Sequence, residues 1–213
     1  MKKKTADALS APRKAPQQAR ATLTCSSILQ AAAHILGEQG LAGFNTNKVA
    51  ERAGVSIGSL YQYYPNKQAL LAALSEAQHQ QLLDQLSGQV RQHEATPDAD
   101  LPSLVRRLVG VALAHQFDQA GLAATLDYAE RDYANTPVLQ ALRQQLINLL
   151  MSALAPYAAQ IPGNLQSSAI DLQSIVQALI DGAAARGEVN SLQLKMRVER
   201  AALGYLHYRD DAN

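Results

Sequence analysis

Two short helical patterns flank a single glycine in the first third of the sequence. The first runs from Thr46 to Ala53, and the second runs from Ile57 to Tyr63. The small apolar residues of the first pattern share one face and are Val49, Ala50 and Ala53. Gly54 follows directly, and glycine accepts the positive φ that a sharp turn after a helix often needs. The sequence therefore predicts two short helices joined by a tight turn.

The residues after the glycine indicate how these two helices pack. Val55 is small enough to fill the gap between two closely crossing helices. Ser56 is a preferred N-cap for the next helix, and Leu60 anchors that helix inward. This combination is typical of a helix-turn-helix, whose second helix enters the major groove of DNA.

The rest of the chain has helical periodicity as well. Upstream of the motif, one apolar face ends near Gly37 to Gly40 and consists of Ile28, Leu29, Ala32, Ile35 and Leu36. Further helices are predicted over Lys67–His93, Ser103–Phe117, Leu122–Tyr133, Pro137–Ala155, Ser168–Arg186 and Leu192–Tyr208. Strand-like alternation never extends beyond a few residues, so the predicted fold class is all-α.

The charge of the chain is unevenly distributed. The formal net charge is +1, but residues 1–67 carry nine Lys and Arg against three acidic residues, a balance of +6. Residues 68–213 carry ten against fifteen, a balance of −5. This asymmetry predicts a basic module that meets a polyanion and an acidic module with another task. We expect a disordered basic tail over 1–20, a DNA-binding domain over 21–67 and a second helical domain over 68–213.

Several classes of protein do not fit the sequence. Cys25 is the only cysteine, which favours a reducing, cytoplasmic compartment. No run approaches the roughly 18 apolar residues that a membrane span needs, so no membrane partner is expected. The histidines are scattered, at His34, His79, His93, His115 and His207. With no metal-ligand spacing and no phosphate-binding glycine loop, we expect no cofactor, no metal and no enzymatic activity.

The motif and its flanks resemble the DNA-binding domain of the TetR family of bacterial transcriptional regulators. The resemblance covers about Thr22 to Leu71, and the matching residues include Val49-Ala50, Ala53 to Ser56, Gly58 to Tyr61, Tyr63-Tyr64 and Asn66-Lys67. It implies a three-helix DNA-binding domain, followed by a helical domain that binds a small ligand and forms the dimer. The residues predicted to form the DNA-binding site are Thr46, Asn47, Lys48, Ser56, Ile57, Gly58, Ser59, Tyr61, Gln62, Tyr63 and Lys67.

Individual positions of the motif have different expected roles. Ser56 is expected to cap its helix rather than to read bases, and Tyr64 to pack inward. Ser59, Tyr61, Gln62 and Tyr63 are expected to point outward. By the resemblance, Asn47 can touch base edges, and Tyr61, Tyr63 and Lys67 match positions that contact the DNA backbone. Ile57 lies where many members of the family carry a polar residue, which favours an apolar contact such as one with a thymine methyl group.

The second domain has no motif of comparable quality. Polar groups interrupt the apolar faces of its middle helices, and a ligand pocket is predicted at His115, Asp118, Tyr128, Arg131 and Tyr133. The alternatives are that His115 is satisfied in the core or exposed, and that Asp127 and Arg131 form a surface pair. The last two helices are predicted to form the dimer interface through Ile170, Ile175, Val176, Leu179, Ile180, Ala183, Ala184, Leu194, Val198, Ala201, Ala202, Tyr205 and Leu206. The alternative is an ordinary core within one chain.

These features predict a ligand-responsive transcriptional repressor. It would bind a palindromic double-stranded DNA operator as a homodimer, and a small apolar or amphipathic effector would release it. Two alternatives remain open. One is a ligand-binding or interaction module of the same fold without specific DNA binding, and the other is a transcriptional activator.

Overall fold

The computed structural model describes residues 19–118, 122, 125–126 and 136–207. Within these ranges the chain is helical and contains no strand. The helices with defined bounds are α1 (Ala19–Gly43), α2 (Thr46–Arg52), α3 (Ile57–Tyr63), α4 (Lys67–Glu94), α5 (Leu101–Phe117), α6 (Pro137–Leu154), α7 (Leu165–Ala185) and α8 (Leu192–His207). A 3₁₀ helix (Ala155–Gln160) follows α6. The predicted all-α fold class is confirmed.

The chain divides into two compact units. The first lies within residues 1–79 and 119–140, and the second within residues 80–118 and 141–213. This division differs from the predicted domain boundary after residue 67. The reason is that the N-terminal part of α4 buries Leu70, Leu71 and Leu74 in the core of the first unit.

The core of the first unit joins α1 to the helix-turn-helix. Ile28 and Leu36 of α1 and Leu60 of α3 are each 0% exposed. Three leucines from the later part of the chain belong to the same core, namely Leu122, Leu126 and Leu139. Two separate stretches of sequence therefore build the scaffold on which the helix-turn-helix rests.

The second unit has its own core. It is built mainly from leucine, valine and alanine of α5, α6, α7 and α8, and Leu104, Leu154 and Leu206 are each fully buried. In this core α8 packs against both α5 and α7. None of the described helices is long and apolar enough to cross a lipid bilayer.

Part of the predicted dimer interface lies inside this core. Six of the predicted residues are buried within the chain itself: Ile180, Ala183, Leu194, Val198, Ala202 and Leu206. The apolar spacing of α8 thus serves mainly packing against its own neighbours. Ile175, Val176 and Leu179 are half-buried, and Ile170 is 42% exposed.

Candidate nucleic-acid interface

The turn between α2 and α3 has the conformation that its glycine predicts. Gly54 has a φ of 68°, in the left-handed region. Its amide donates to the carbonyl of Glu51 at 3.1 Å, and the amide of Val55 donates to the carbonyl of Ala50 at 3.0 Å. These two hydrogen bonds satisfy carbonyl groups at the end of α2, so the turn terminates the helix without leaving them unpaired.

Side-chain caps fix the beginnings of both motif helices. Asn45 caps α2, with its side-chain oxygen accepting from the amide of Asn47 at 2.7 Å. Ser56 caps α3, and its hydroxyl accepts from the amide of Ser59 at 3.0 Å. The capping role predicted for Ser56 is confirmed. The cap at Asn45 was not predicted, although asparagine before an apolar helical pattern is a common signal for one.

α3 has one exposed face. Leu60 faces the core, whereas Ile57 is 37% exposed and Tyr61, one turn later, is 38% exposed. Gly58 and Gln62 are exposed beside them. This outward face of α3 is the surface that a helix-turn-helix offers to DNA.

Two residues near this face are less accessible than predicted, and a third is buried as predicted. Ser59 and Tyr63, both expected to point outward, are half-buried. Tyr63 packs against the core of the first unit. Tyr64 is only 4% exposed, which confirms that it packs inward.

The hydroxyl groups of the motif are paired with one another. The Thr46 and Tyr61 hydroxyls are 3.0 Å apart, which links the start of α2 to the outward face of α3. The Ser56 and Ser59 hydroxyls are 2.8 Å apart. In contrast, the exposed side-chain amides of Asn47 and Gln62 have no hydrogen-bond partner within the described ranges. The amides are therefore the polar groups of this surface that are free to bind another molecule.

Lys67 is held inside the first unit. Its ammonium group donates to the carbonyl oxygen of Leu41 at 3.0 Å and lies 5.4 Å from the centre of the Phe44 ring. Leu41 follows a kink in α1 at Gly40, which has a φ of 61°. Lys67 thus supports the end of α1, and a phosphate contact by the same group stays a prediction.

The other two cations of the motif lie at its surface. Lys48 is exposed, and its ammonium group donates to the side-chain oxygen of Gln39 at 2.7 Å. Arg52 is exposed in the last turn of α2. Both are placed where they could approach a phosphate, and Arg52 extends its charge from a helix end.

A polar contact joins the half-buried Cys25 of α1 to the buried Tyr64. Burial raises the pKa of the Cys25 thiol, and a hydrogen bond with Tyr64 offsets part of that rise. Burial is also the main cause of the raised pKa of Tyr64, to which the nearby Cys25 and Glu76 contribute. Both groups therefore stay protonated near neutral pH, which fits a packing role for Tyr64.

The predicted ligand pocket is described only in part. His115 is half-buried in the last turn of α5, and Asp118 is exposed at the end of that helix. Tyr128, Arg131 and Tyr133, together with most of the predicted helix over 122–133, lie outside the described residues. The pocket therefore stays a prediction.

A cavity of about 350 Å³ lies in the second unit at residues that were not predicted. Its lining includes His93, which is 4% exposed, and Tyr157. The Nε2 atom of His93 lies 2.6 Å from the Tyr157 hydroxyl, which donates to the carbonyl of Ala99 at 3.2 Å. No local pattern could reveal this pair, because its members are 64 residues apart in the sequence.

Burial lowers the pKa of His93, and the charge of Arg107 lowers it further. Asp100 and Glu94 act in the opposite direction. The neutral imidazole is therefore favoured in the folded chain. The Nε2 atom of His93 and the Tyr157 hydroxyl are already hydrogen-bonded to each other. These two polar groups of the cavity lining are therefore satisfied within the protein.

Known proteins share both the motif and the fold. The model of bacterial regulatory proteins of the tetR family matches residues 28–74. The tetracycline repressor protein class A from transposon 1721 of Escherichia coli is 46% identical over 52 residues, which cover 24% of each chain. The nucleoid occlusion factor SlmA of Actinobacillus pleuropneumoniae is 30% identical over 122 residues, covering 50% of this chain and 60% of SlmA. The matches thus span between a quarter and three fifths of these relatives.

The fold similarity extends over most of the chain. The transcriptional regulator FadR from Bacillus subtilis, solved in complex with stearoyl-CoA, matches with a TM-score of 0.67 at 15% identity. The match covers 85% of this chain and 97% of FadR. The chain therefore shares the fold of this regulator over most of its length. At residues 28–74 it matches the bacterial regulatory proteins of the tetR family.

Proposed function

We propose that the protein is a transcriptional repressor that binds a palindromic DNA operator and is released by a small effector. The observation that carries this proposal is the outward face of α3, which a capped α2 and a tight turn hold in place. Ile57, Tyr61 and Gln62 expose their side chains there, and Gly58 lets the backbone approach a ligand closely. Such a face fits the major groove, where most contacts position the protein and a few read base edges.

The proposed operator is palindromic because the proposed repressor is a dimer. Two recognition helices about 34 Å apart can enter successive major grooves of a two-fold site. Besides its buried core residues, α8 exposes two apolar side chains: Leu192 is 73% exposed and Met196 is 60% exposed. Together with the half-buried Ile175 and Leu179, these residues could pack against the same surface of a second chain.

The proposed effector is apolar or amphipathic. FadR from Bacillus subtilis was solved with stearoyl-CoA, and a tetracycline repressor is among the relatives. A ligand that binds one conformation of the second unit more tightly can lower operator affinity by that difference in binding free energy. The repressor would act in the cytoplasm, where it meets DNA, and it would have no enzymatic role.

DNA selection tests the central proposal. The purified full-length chain is mixed with random DNA duplexes, and the bound fraction is enriched and sequenced. We expect the enriched duplexes to share an inverted repeat. The protein should also protect such a repeat near its own gene in footprinting experiments. The proposal would be contradicted if no sequence were recovered above background. It would also be contradicted if non-specific competitor DNA at equal concentration abolished binding. Either result would favour an interaction module without specific DNA binding.

Two matched variants locate the binding surface. Gln62→Ala removes an exposed amide from the outward face of α3, and Gln30→Ala removes an exposed amide from α1. We expect Gln62→Ala to weaken operator binding about 5- to 150-fold per half-site, since a lost base contact typically costs about 1–3 kcal/mol. Gln30→Ala should bind like the wild type. Equal behaviour of the two variants would place the DNA contact elsewhere.

A reporter assay separates a repressor from an activator. A promoter carrying the selected operator drives the reporter in cells with and without the protein. We expect lower expression when the protein is present, and recovery when long-chain acyl compounds are added. Higher expression in the presence of the protein would identify an activator.

A further inference from the structure

The pairing of hydroxyl groups within the motif restricts which side chains can read bases. The Thr46 and Tyr61 hydroxyls are 3.0 Å apart, and those of Ser56 and Ser59 are 2.8 Å apart. A hydroxyl that is already engaged would have to give up its partner before it could recognise a base edge. Base recognition therefore falls first to the groups that are exposed and unpaired.

Ile57 is such a group. It is the first residue of α3, it is 37% exposed, and it lies one turn before Tyr61 on the outward face. The next residue, Gly58, has no side chain, and an added Cβ there would meet only the Ser56 hydroxyl, at 3.8 Å. The aliphatic surface of Ile57 therefore has open space beside it. A single exposed apolar residue is ordinary on a protein surface, and its place on this face is what makes Ile57 informative.

An isoleucine can recognise only one feature of the major groove. Its side chain neither donates nor accepts a hydrogen bond, so it cannot recognise the donors and acceptors of the base edges. The C5-methyl group of thymine is the apolar feature of the groove, and apolar side chains contact it.

We propose that Ile57 is a specificity-determining residue that contacts the C5-methyl group of one thymine in each operator half-site. This inference rests on the proposed function, because it requires specific DNA binding. It adds the chemical feature that the start of α3 recognises, and it predicts a thymine at a fixed position of the half-site.

Deoxyuridine provides a direct test, since it differs from thymidine only by lacking this methyl group. Each thymine of the selected operator is replaced in turn by deoxyuridine, and the Kd is measured by fluorescence anisotropy. The measurements are made for the wild type, Ile57→Ala and Ile57→Val. Leu23→Ala serves as the control, because Leu23 is an apolar residue of α1 that is 68% exposed.

At one symmetric thymine position, we expect deoxyuridine to weaken wild-type binding about fourfold per half-site, the effect of leaving one methyl group without apolar contact. Ile57→Ala should bind the thymine and deoxyuridine operators equally. Ile57→Val should keep part of the discrimination, and Leu23→Ala should keep all of it. The coupling between the protein change and the base change isolates this contact from general effects of either change.

Three outcomes would overturn the inference, and the last of them is distinguishable because it also overturns the proposed function. If a specific operator is found but no thymine shows discrimination that depends on Ile57, the inference is wrong and the proposed function stands. If Ile57→Ala retains the full discrimination, another residue contacts the methyl group and the inference is again wrong. If selection yields no specific operator, the proposed function fails and the inference fails with it.

Discussion

Gly54 shows how a single residue determines the geometry of the motif. Its φ of 68° places it in the left-handed region, and the two hydrogen bonds that end α2 depend on that conformation. A glycine after a helical pattern is a local signal, which is why the turn could be predicted from the sequence. The contacts of Lys67 and His93 join distant parts of the chain, so no local signal could predict them.

Replacing Gly54 with alanine should destabilise the protein through the backbone alone. An added Cβ would meet no atom within 4 Å, so no steric clash contributes. A non-glycine residue in the left-handed region costs about 1–2 kcal/mol. We therefore expect Gly54→Ala to lower the free energy of unfolding by about that amount, measured by urea denaturation.

Gly58→Ala is the matched control for this substitution. Gly58 lies within α3, where alanine is favoured over glycine by about 1 kcal/mol. The stability of this variant should be unchanged or slightly higher. A loss as large as that of Gly54→Ala would show that the cost does not come from the positive φ.

His93 should make stability depend on pH. Its pKa in the folded chain lies below the ordinary value of 6.5, mainly because the side chain is buried. Between these two pKa values the unfolded chain binds more protons than the folded chain. The free energy of unfolding should therefore be highest above about pH 6.5 and should fall as the pH decreases below that value.

His93→Gln removes this titration and keeps a polar group that can reach Tyr157. Urea denaturation of both proteins at about pH 7.5 and about pH 5 measures the difference. We expect the wild type to lose more stability than His93→Gln over that interval. A parallel decrease in the two proteins would assign the pH dependence to other groups.

At the level of elements, local signals predicted the helices of the motif well. α3 has the predicted bounds, and its cap at Ser56 lies where the sequence indicates. α1 begins at Ala19, well before its first buried residue, Ile28. The intervening residues are mostly polar and show no apolar period, so the pattern marks only the part of α1 that packs.

Lys67 should stabilise the junction between α1 and α4. Its ammonium group donates to the carbonyl of Leu41 in a partly buried position, and hydrogen bonds to charged groups contribute about 1.5–3 kcal/mol. We expect Lys67→Met to lower the free energy of unfolding by about 1–2 kcal/mol without DNA present. Thermal denaturation measures the effect.

Arg52→Met is the control for Lys67→Met. Arg52 is exposed at the end of α2, so its loss should change stability by less than about 0.5 kcal/mol. Operator affinity should fall for Arg52→Met through the lost charge. Equal stability of the two variants would mean that the contact with Leu41 contributes little.

At the scale of the whole molecule, the uneven charge determines how binding should respond to salt. Between residues 21 and 74 the cations are Lys48, Arg52 and Lys67, whereas Lys2 to Lys4 lie in the N-terminal segment. If each of these three cations between residues 21 and 74 neutralises one phosphate, a dimer would neutralise about six phosphates and release the counterions bound to them. The folded domain alone then predicts a moderate salt dependence.

The expected slope of log K against log salt concentration is about −5 for the dimer. Anisotropy titrations over a range of salt concentrations measure it. Deletion of residues 2–4 should leave this slope unchanged. A much steeper slope that the deletion reduces would show that the N-terminal lysines also neutralise phosphates.

The composition of the first unit has a consequence for protein engineering. Leu122, Leu126 and Leu139 share a core with Ile28 and Leu60, although the sequence between residues 80 and 118 belongs to the second unit. A chimera that takes residues 1–79 from this protein and the remainder from a relative would therefore inherit only part of that core. Transplanting the operator preference of one family member onto the effector response of another needs three junctions, after residues 79, 118 and 140, so that residues 119–140 are exchanged along with the N-terminal segment.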